Sequence, residues 1–185
     1  MQNKIIVFDT ETTGLLMHPD APLSKQPKII QFGAVLLNEH GVVVEELSEM
    51  INPGEAISDE ITKITGITNQ ELRFAPGFTQ VFPRIKNMFD KSFAVFAHNL
   101  PFDKAMLFNE LERHNIIGFP WPKQEYCTAG MHKDFWGRNP KLIKLYEATM
   151  GMPLAQTHRA LDDVMALVEI IVALNLHKIA YDEEK

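Results

Sequence analysis

Residues 4–14 read KIIVFDTETTG, and this stretch decides the fold. Ile5 to Phe8 is an unbroken apolar run. A strand of that kind is buried on both faces and so lies centrally in a sheet. Asp9 and Glu11 follow directly, two residues apart. Side chains two apart on a strand share a face, so both carboxylates project together where Gly14 lets the backbone turn away. Adjacent carboxylates raise each other's pKa unless a cation lies between them. Hard divalent cations favour such oxygen ligands. On these residues alone, a metal-holding pair and a solvent-facing acidic pair both stand.

From this strand outward, the pattern predicts one domain over residues 1–185. Residues 15–28 carry three prolines and no periodicity and read as a loop. IIQFGAVLLNEHGVVVEELSEMI gives two β-rich runs around Asn38–Gly41, a hairpin signal. SDEITKITGIT reads as a short helix with a turn. Phe78, Val81, Phe82, Ile85, Met88 and Phe89 recur at helical steps. SFAVFAH (92–98) reads as a buried strand. Asn99 is placed to cap the next helix, whose first turn tolerates Pro101. QEYCTAGM reads as a fifth strand and KLIKLYEATMG as a helix stopped at Gly151. A last helix is predicted from about 159 to 178, with a buried stripe of Leu161, Val164, Leu167, Val168, Ile171 and Val172. Three meandering strands followed by alternating helices and strands predict an α/β fold, a mixed five-stranded sheet with helices on its faces.

Two further segments carry chemistry. In HNLPFD (98–103), Asp103 falls in the first turn of a helix that follows a buried strand. It sits near the carboxyl edge of the sheet, although an aspartate there also simply favours the helix dipole. In THRALDDV (157–164), His158 and Asp163 would lie about 140° apart on a regular helix. They share one site only if His158 precedes the helix and Asp163 sits one turn inside it. Asp162 then faces solvent. A neutral histidine there can take a proton from water, and a capping or surface histidine is the plainer alternative. Together, in order, these segments are the parts of a two-metal phosphodiester hydrolase.

Composition permits this and excludes little. The charge of −6 argues against a basic surface that grips long nucleic acid, but bound divalent cations would offset clustered carboxylates. No apolar run approaches the ~18 residues of a membrane span, and no leader precedes the first strand. The one cysteine, Cys127, fits a reducing compartment, so a cytoplasmic location is expected.

In these motifs the chain strongly resembles the histidine-bearing branch of the DEDD superfamily of 3′–5′ exonucleases. FDTETTG is similar to the first motif, HNLPFD to the second and HRALDDV to the third. The tyrosine branch would place its tyrosine where Arg159 stands. The resemblance extends to IIQFGAV, ITGIT and KLIKLYEATMG. Its opening Thr-Glu-Thr-Thr-Gly is more similar to proofreading subunits and domains of bacterial replicative DNA polymerases than to oligoribonuclease. It implies a ribonuclease-H-like fold with two Mg²⁺ or Mn²⁺ ions held by Asp9, Glu11, Asp103 and Asp163. It implies His158 as the base and nucleoside 5′-monophosphates released singly from single-stranded 3′ ends, of DNA before RNA. By the same likeness Thr10 and Thr12 hold the terminal nucleotide, Leu15 presses on its base, and Asn99 and Phe102 line the groove. A polymerase or repair partner is implied as well, and because LHKIAYDEEK does not read as a polymerase-docking tail, an obligate polymerase partnership is not expected. Three readings stay open: whether the 16–27 loop touches the strand, whether Arg138, Lys141 and Lys144 meet phosphates or solvent, and whether Phe135 and Trp136 stack on a base or pack under a loop.

Overall fold

The computed structural model describes residues 3–184. Its strands are β1 (Lys4–Thr12), β2 (Ile29–Leu37), β3 (Val43–Met50), β4 (Ser92–Ala97) and β5 (Gln124–Cys127). Its helices are α1 (Asp59–Thr65), α2 (Asn69–Phe74), α3 (Phe78–Asp90), α4 (Leu100–Arg113), α5 (Thr128–Met131), α6 (Lys133–Trp136), α7 (Leu142–Met150), α8 (Ala160–Ala173) and α9 (Leu176–Glu183). The strands form one mixed sheet in the order β3-β2-β1-β4-β5. β1 pairs antiparallel with β2 and parallel with β4, and β4 pairs parallel with β5. Helices cover both faces, as expected.

The central strand runs further than its apolar stretch predicts. β2 continues to pair with it through Asp9↔Gly33 and Glu11↔Gln31, so both acidic residues lie within the strand rather than at its end. Pairing with β4 stops at Val7↔Phe96. Beyond Val7 the β4 side of β1 is left open, at the carboxyl ends of the parallel strands. Open α/β sheets place their ligand crevices there.

The two-residue period of β1 divides its side chains between two cores. Ile6 and Phe8 pack with Ile85 and Phe89 of α3 and Met106 and Leu107 of α4. Ile5 and Val7 pack with Leu145 of α7, Val164, Leu167 and Ile171 of α8, and Ala180 of α9. The same alternation sends Thr10 toward α4 and sends Asp9 and Glu11 toward α8. α8 begins directly over β2. A Cβ at Gly33 would lie 2.5 Å from both the Ala160 carbonyl carbon and the Leu161 nitrogen, so only a hydrogen fits. The Ala160 N–H donates to Gln31 Oε1 at 3.1 Å. The helix start is thereby held beside the Asp9–Gly33 row.

Four details depart from the predicted elements. The last helix is broken: Asn175 takes a left-handed φ of 56°, and α9 leaves α8 at 74°. The buried stripe therefore ends at Ile171, and Val172 in the final turn is 37% exposed. Thr68 opens a second short helix after α1, closed by a reciprocal capping box with Glu71. The fifth strand covers QEYC alone, because Cys127 Sγ accepts from the Gly130 N–H and starts α5. Asn99 stands at the head of α4, but its side chain does not cap. Its carbonyl accepts from the Phe102 and Asp103 amides. Among the described residues, no single helix is long and apolar enough to cross a membrane.

Candidate active site

An open cleft of about 370 Å³ lies where β1 outruns β4. Asp9, Glu11, Asp103, His158 and Asp163 all border it, with Thr10, Asn99 and Phe102. Three distant segments are thus brought together. Asp9 and Glu11 enter from the α8 face of β1. Asp103 comes from the first turn of α4, past the end of β4. Asp163 comes from the first turn of α8, above Gly33.

Asp103 is 3% exposed and rigidly held. The Thr10 amide and hydroxyl both donate to its Oδ1, at 3.1 and 2.8 Å. Asp163 Oδ2 accepts from Gln156 Nε2 at 2.8 Å and lies 4.0 Å from His158 Nδ1. His158 has a left-handed φ of 52° and stands two residues before α8. That turn places its ring beside Asp163, which the helical spacing alone forbids. The neighbouring Arg159 points away, donating to the Gly66 carbonyl at 3.0 Å and Glu71 at 3.4 Å. Asp162 is exposed and accepts from the Thr157 hydroxyl at 2.6 Å, as its predicted outward position requires.

The carboxylates are electrostatically frustrated. Burial, then the charges of Asp103, Glu11 and Asp163, raises the Asp9 pKa well above the usual range. Burial first, with Asp163 and Asp103 after it, pushes Glu11 up to about 8, against a modest pull from Arg159. Burial pushes Asp103 up to about 7 even though the Thr10 hydrogen bonds favour its charged form. Burial also raises Asp163, while Gln156 and His158 pull it back. Lys141 is the one Lys or Arg among the described residues bordering the cleft. Such a set needs cations from outside the chain. Glu11, His158 and Asp163 each offer a ligand atom, all within 4.8 Å of one another. Oxygen-rich donors of this kind suit a hard divalent ion, so the residues present fit the metal that the motifs imply.

A second hollow of about 630 Å³ adjoins the first. It shares Thr10, Glu11 and Phe102 and continues along Thr12, Leu15, Met17, Ile61 and Ile64. The Thr12 hydroxyl donates to the Gly14 carbonyl at 2.7 Å, and Leu15 is 83% exposed at the rim. Phe135 is 86% exposed rather than packed under a loop, and Lys144 is paired with Glu147 at 2.7 Å. Sequence reasoning did not find Gln156, Gln31, Gly33 or the inward role of the Thr10 hydroxyl.

The family model described as Exonuclease, named for RNase T, matches residues 6–171. This chain belongs to that exonuclease family. It is 35% identical over 184 residues to the 3′-5′ exonuclease DinG of Bacillus subtilis, spanning 97% of this chain and 19% of that protein. Against the DNA polymerase III subunit epsilon of Treponema pallidum it is 28% identical, covering 92% of this chain and 75% of that one. A PolC-type DNA polymerase III of Thermotoga petrophila is 29% identical over 90% of this chain, which spans 11% of that polymerase. In fold, the nuclease domain of 3′hExo bound to rAMP superposes with a TM-score of 0.76 at 20% identity, covering 95% of this chain and 92% of that one. The zinc-bound complex of E. coli ExoI with single-stranded DNA gives 0.75 at 20% identity, over 96% and 41%.

Proposed function

We propose that this domain hydrolyses single-stranded 3′ ends, DNA in preference to RNA, releasing nucleoside 5′-monophosphates one at a time. The observation that carries this reading is the convergence of four carboxylates and one histidine in a cleft where, among the described residues, Lys141 is the one Lys or Arg. Asp9, Glu11, Asp103 and Asp163 would hold two Mg²⁺ or Mn²⁺ ions. When bound, such ions neutralise the scissile phosphate and make water a better nucleophile.

The rest of the reaction is carried by the protein. Thr10 fixes the Asp103 carboxylate, and Gln156 fixes that of Asp163, so the ligands are oriented before substrate arrives. His158 turns Nδ1 toward Asp163 and leaves Nε2 to take the proton of the attacking water. The water oxygen bonds to phosphorus as the P–O3′ bond breaks in line. The shortened strand keeps its 3′-oxygen, and the departing nucleotide keeps the phosphate on its 5′ side. The Thr12–Leu15 hollow, with its exposed leucine and helical apolar wall, suits the terminal nucleotide. Support for DNA comes from the relatives named as DNA polymerase III.

A time course on a 5′-labelled single-stranded DNA, competed with duplex, mismatched duplex and short RNA, tests this. The expected result is a ladder descending by one nucleotide, with 5′-monophosphates as product and single strands of DNA consumed first. Internal cuts, or labelled mononucleotide appearing before any ladder, would refute it.

A further inference from the structure

The cleft has a second wall that the catalytic reading leaves unexplained. Lys141 and Leu142 border it beside His98, and the segment that leads to them from Thr128 is fastened to His98. The imidazole Nε2 lies 2.9 Å from the Pro140 carbonyl, and Nδ1 lies 3.0 Å from the Thr128 hydroxyl. A carbonyl only accepts, so Nε2 carries the proton and Nδ1 accepts from Thr128. The His98 carbonyl takes a further bond from the Ala129 amide at 2.9 Å. One residue just past β4 thus ties together the two ends of the 128–140 segment, Thr128 and Pro140.

The consequence falls on Lys141. Pro140 before it is held by His98, and Leu142 after it is 7% exposed in the core beneath α7. Its own carbonyl accepts from the Lys144 and Leu145 amides. The backbone of Lys141 is therefore pinned on both sides, while its side chain has no ion-pair partner among the described residues. An ammonium fixed at the rim of this cleft, in no ion pair among the described residues, is well placed for a phosphate. The two hollows meet at Thr10, Glu11 and Phe102 and diverge from there, one toward Leu15 and α1, the other toward His98 and Lys141. A strand whose last nucleotide filled the Thr12–Leu15 hollow would leave past His98 and Lys141.

Resting on the reading of the site as a nuclease, we infer that Lys141 is a phosphate contact for the nucleotides upstream of the scissile bond. His98 is the positioning residue that holds it there. The ligand is the sugar–phosphate backbone of a single strand, read without regard to base.

The test is binding of a fluorescent DNA octamer in Ca²⁺, followed by anisotropy across a salt series. It is paired with turnover of the octamer and of thymidine 5′-monophosphate p-nitrophenyl ester in Mn²⁺. Each phosphate contact contributes about 0.7 to the slope of log affinity against log salt for single strands. Lys141→Ala and His98→Gln are each expected to lower that slope by about 0.7, and the double variant by no more than either alone. Lys141→Arg should restore it. In both single variants the loss on the octamer should exceed the loss on the ester by about tenfold, since the ester has no upstream phosphate. If His98→Gln does not fold, Thr128→Val removes half the clamp and is expected to show a smaller slope change of the same sign. An unmoved slope in Lys141→Ala overturns the phosphate contact. A full slope in His98→Gln or Thr128→Val overturns the clamp. If the wild type hydrolyses neither substrate, the nuclease reading fails instead, and the slopes still decide Lys141.

Discussion

Asp103 and His158 face the same cleft and are held in opposite ways. Asp103 is nearly inaccessible and receives two hydrogen bonds from one threonine on the neighbouring strand. The side chain of His158 is 46% exposed, sits on a left-handed turn, and approaches its nearest partner only to 4.0 Å. The contrast follows from the work each does. A group that holds a cation gains from rigidity, because the cost of gathering like charges is met when the chain folds. A group that takes a proton from water must be reachable by water.

The comparison predicts a gradient of effects. Removing a ligand carboxylate, Asp103→Ala or Asp163→Ala, should abolish hydrolysis while circular dichroism stays native. Retained turnover in either would mean that the buried half of the cleft is not where the reaction occurs. His158→Ala should keep divalent-cation binding by calorimetry and lose about 10²–10⁴-fold in kcat. Near-normal kcat there would remove the distinction between the two halves.

Thr10→Val leaves both groups in place but loosens the rigid one, by removing one of its two hydrogen bonds. Loss of its hydroxyl should cost about 10–100-fold in metal affinity or activity. It withdraws a bond to the charged form, so the Asp103 pKa should rise and the acid limb of the pH–rate profile should move to higher pH. Gly33→Ala forces a methyl into the start of α8 and should destabilise by about 1–3 kcal/mol, read as a drop of a few degrees in Tm. Activity should fall with it, because Asp163 and His158 move with that helix start.

Acidity gives the mildest probe. Glu11 and Asp103 keep their protons in the folded chain up to about 8 and about 7, whereas in the unfolded chain they ionise near the ordinary carboxylate values. Between those limits the folded state binds more protons, so its stability falls as pH rises. In EDTA, Tm should decline from pH 4.5 to pH 8. Saturating Mn²⁺ at pH 8 should reverse the decline, by about 2.7 kcal/mol at one hundred times the dissociation constant. A Tm that rises with pH in EDTA would mean that the carboxylates are not crowded.

The parts of the site written as local pattern were legible. An apolar strand ending in Asp-x-Glu, an aspartate opening a helix, and a histidine ahead of one all read directly. The placement of His158 before α8 was legible because the apolar stripe begins only at Leu161. What was hidden depends on residues that have no local signature. The extension of β1 to Thr12 is imposed by β2 across the sheet. Gly33 looks like any strand glycine until Ala160 is found against it. The break at Asn175 is a single left-handed residue in an otherwise helical pattern, and α2 is too short for periodicity to announce. Thr10 and Gln156 act through partners 93 and 7 residues away, and sequence spacing does not point to either.

The central claim is that the four carboxylates jointly bind a pair of divalent ions. Anomalous scattering from crystals soaked in Mn²⁺ with thymidine 5′-monophosphate measures this directly. Two peaks among Asp9, Glu11, Asp103 and Asp163, with the nucleotide phosphate touching both, is the predicted outcome. A cleft free of manganese, or ions bound only at surface carboxylates elsewhere, would contradict it.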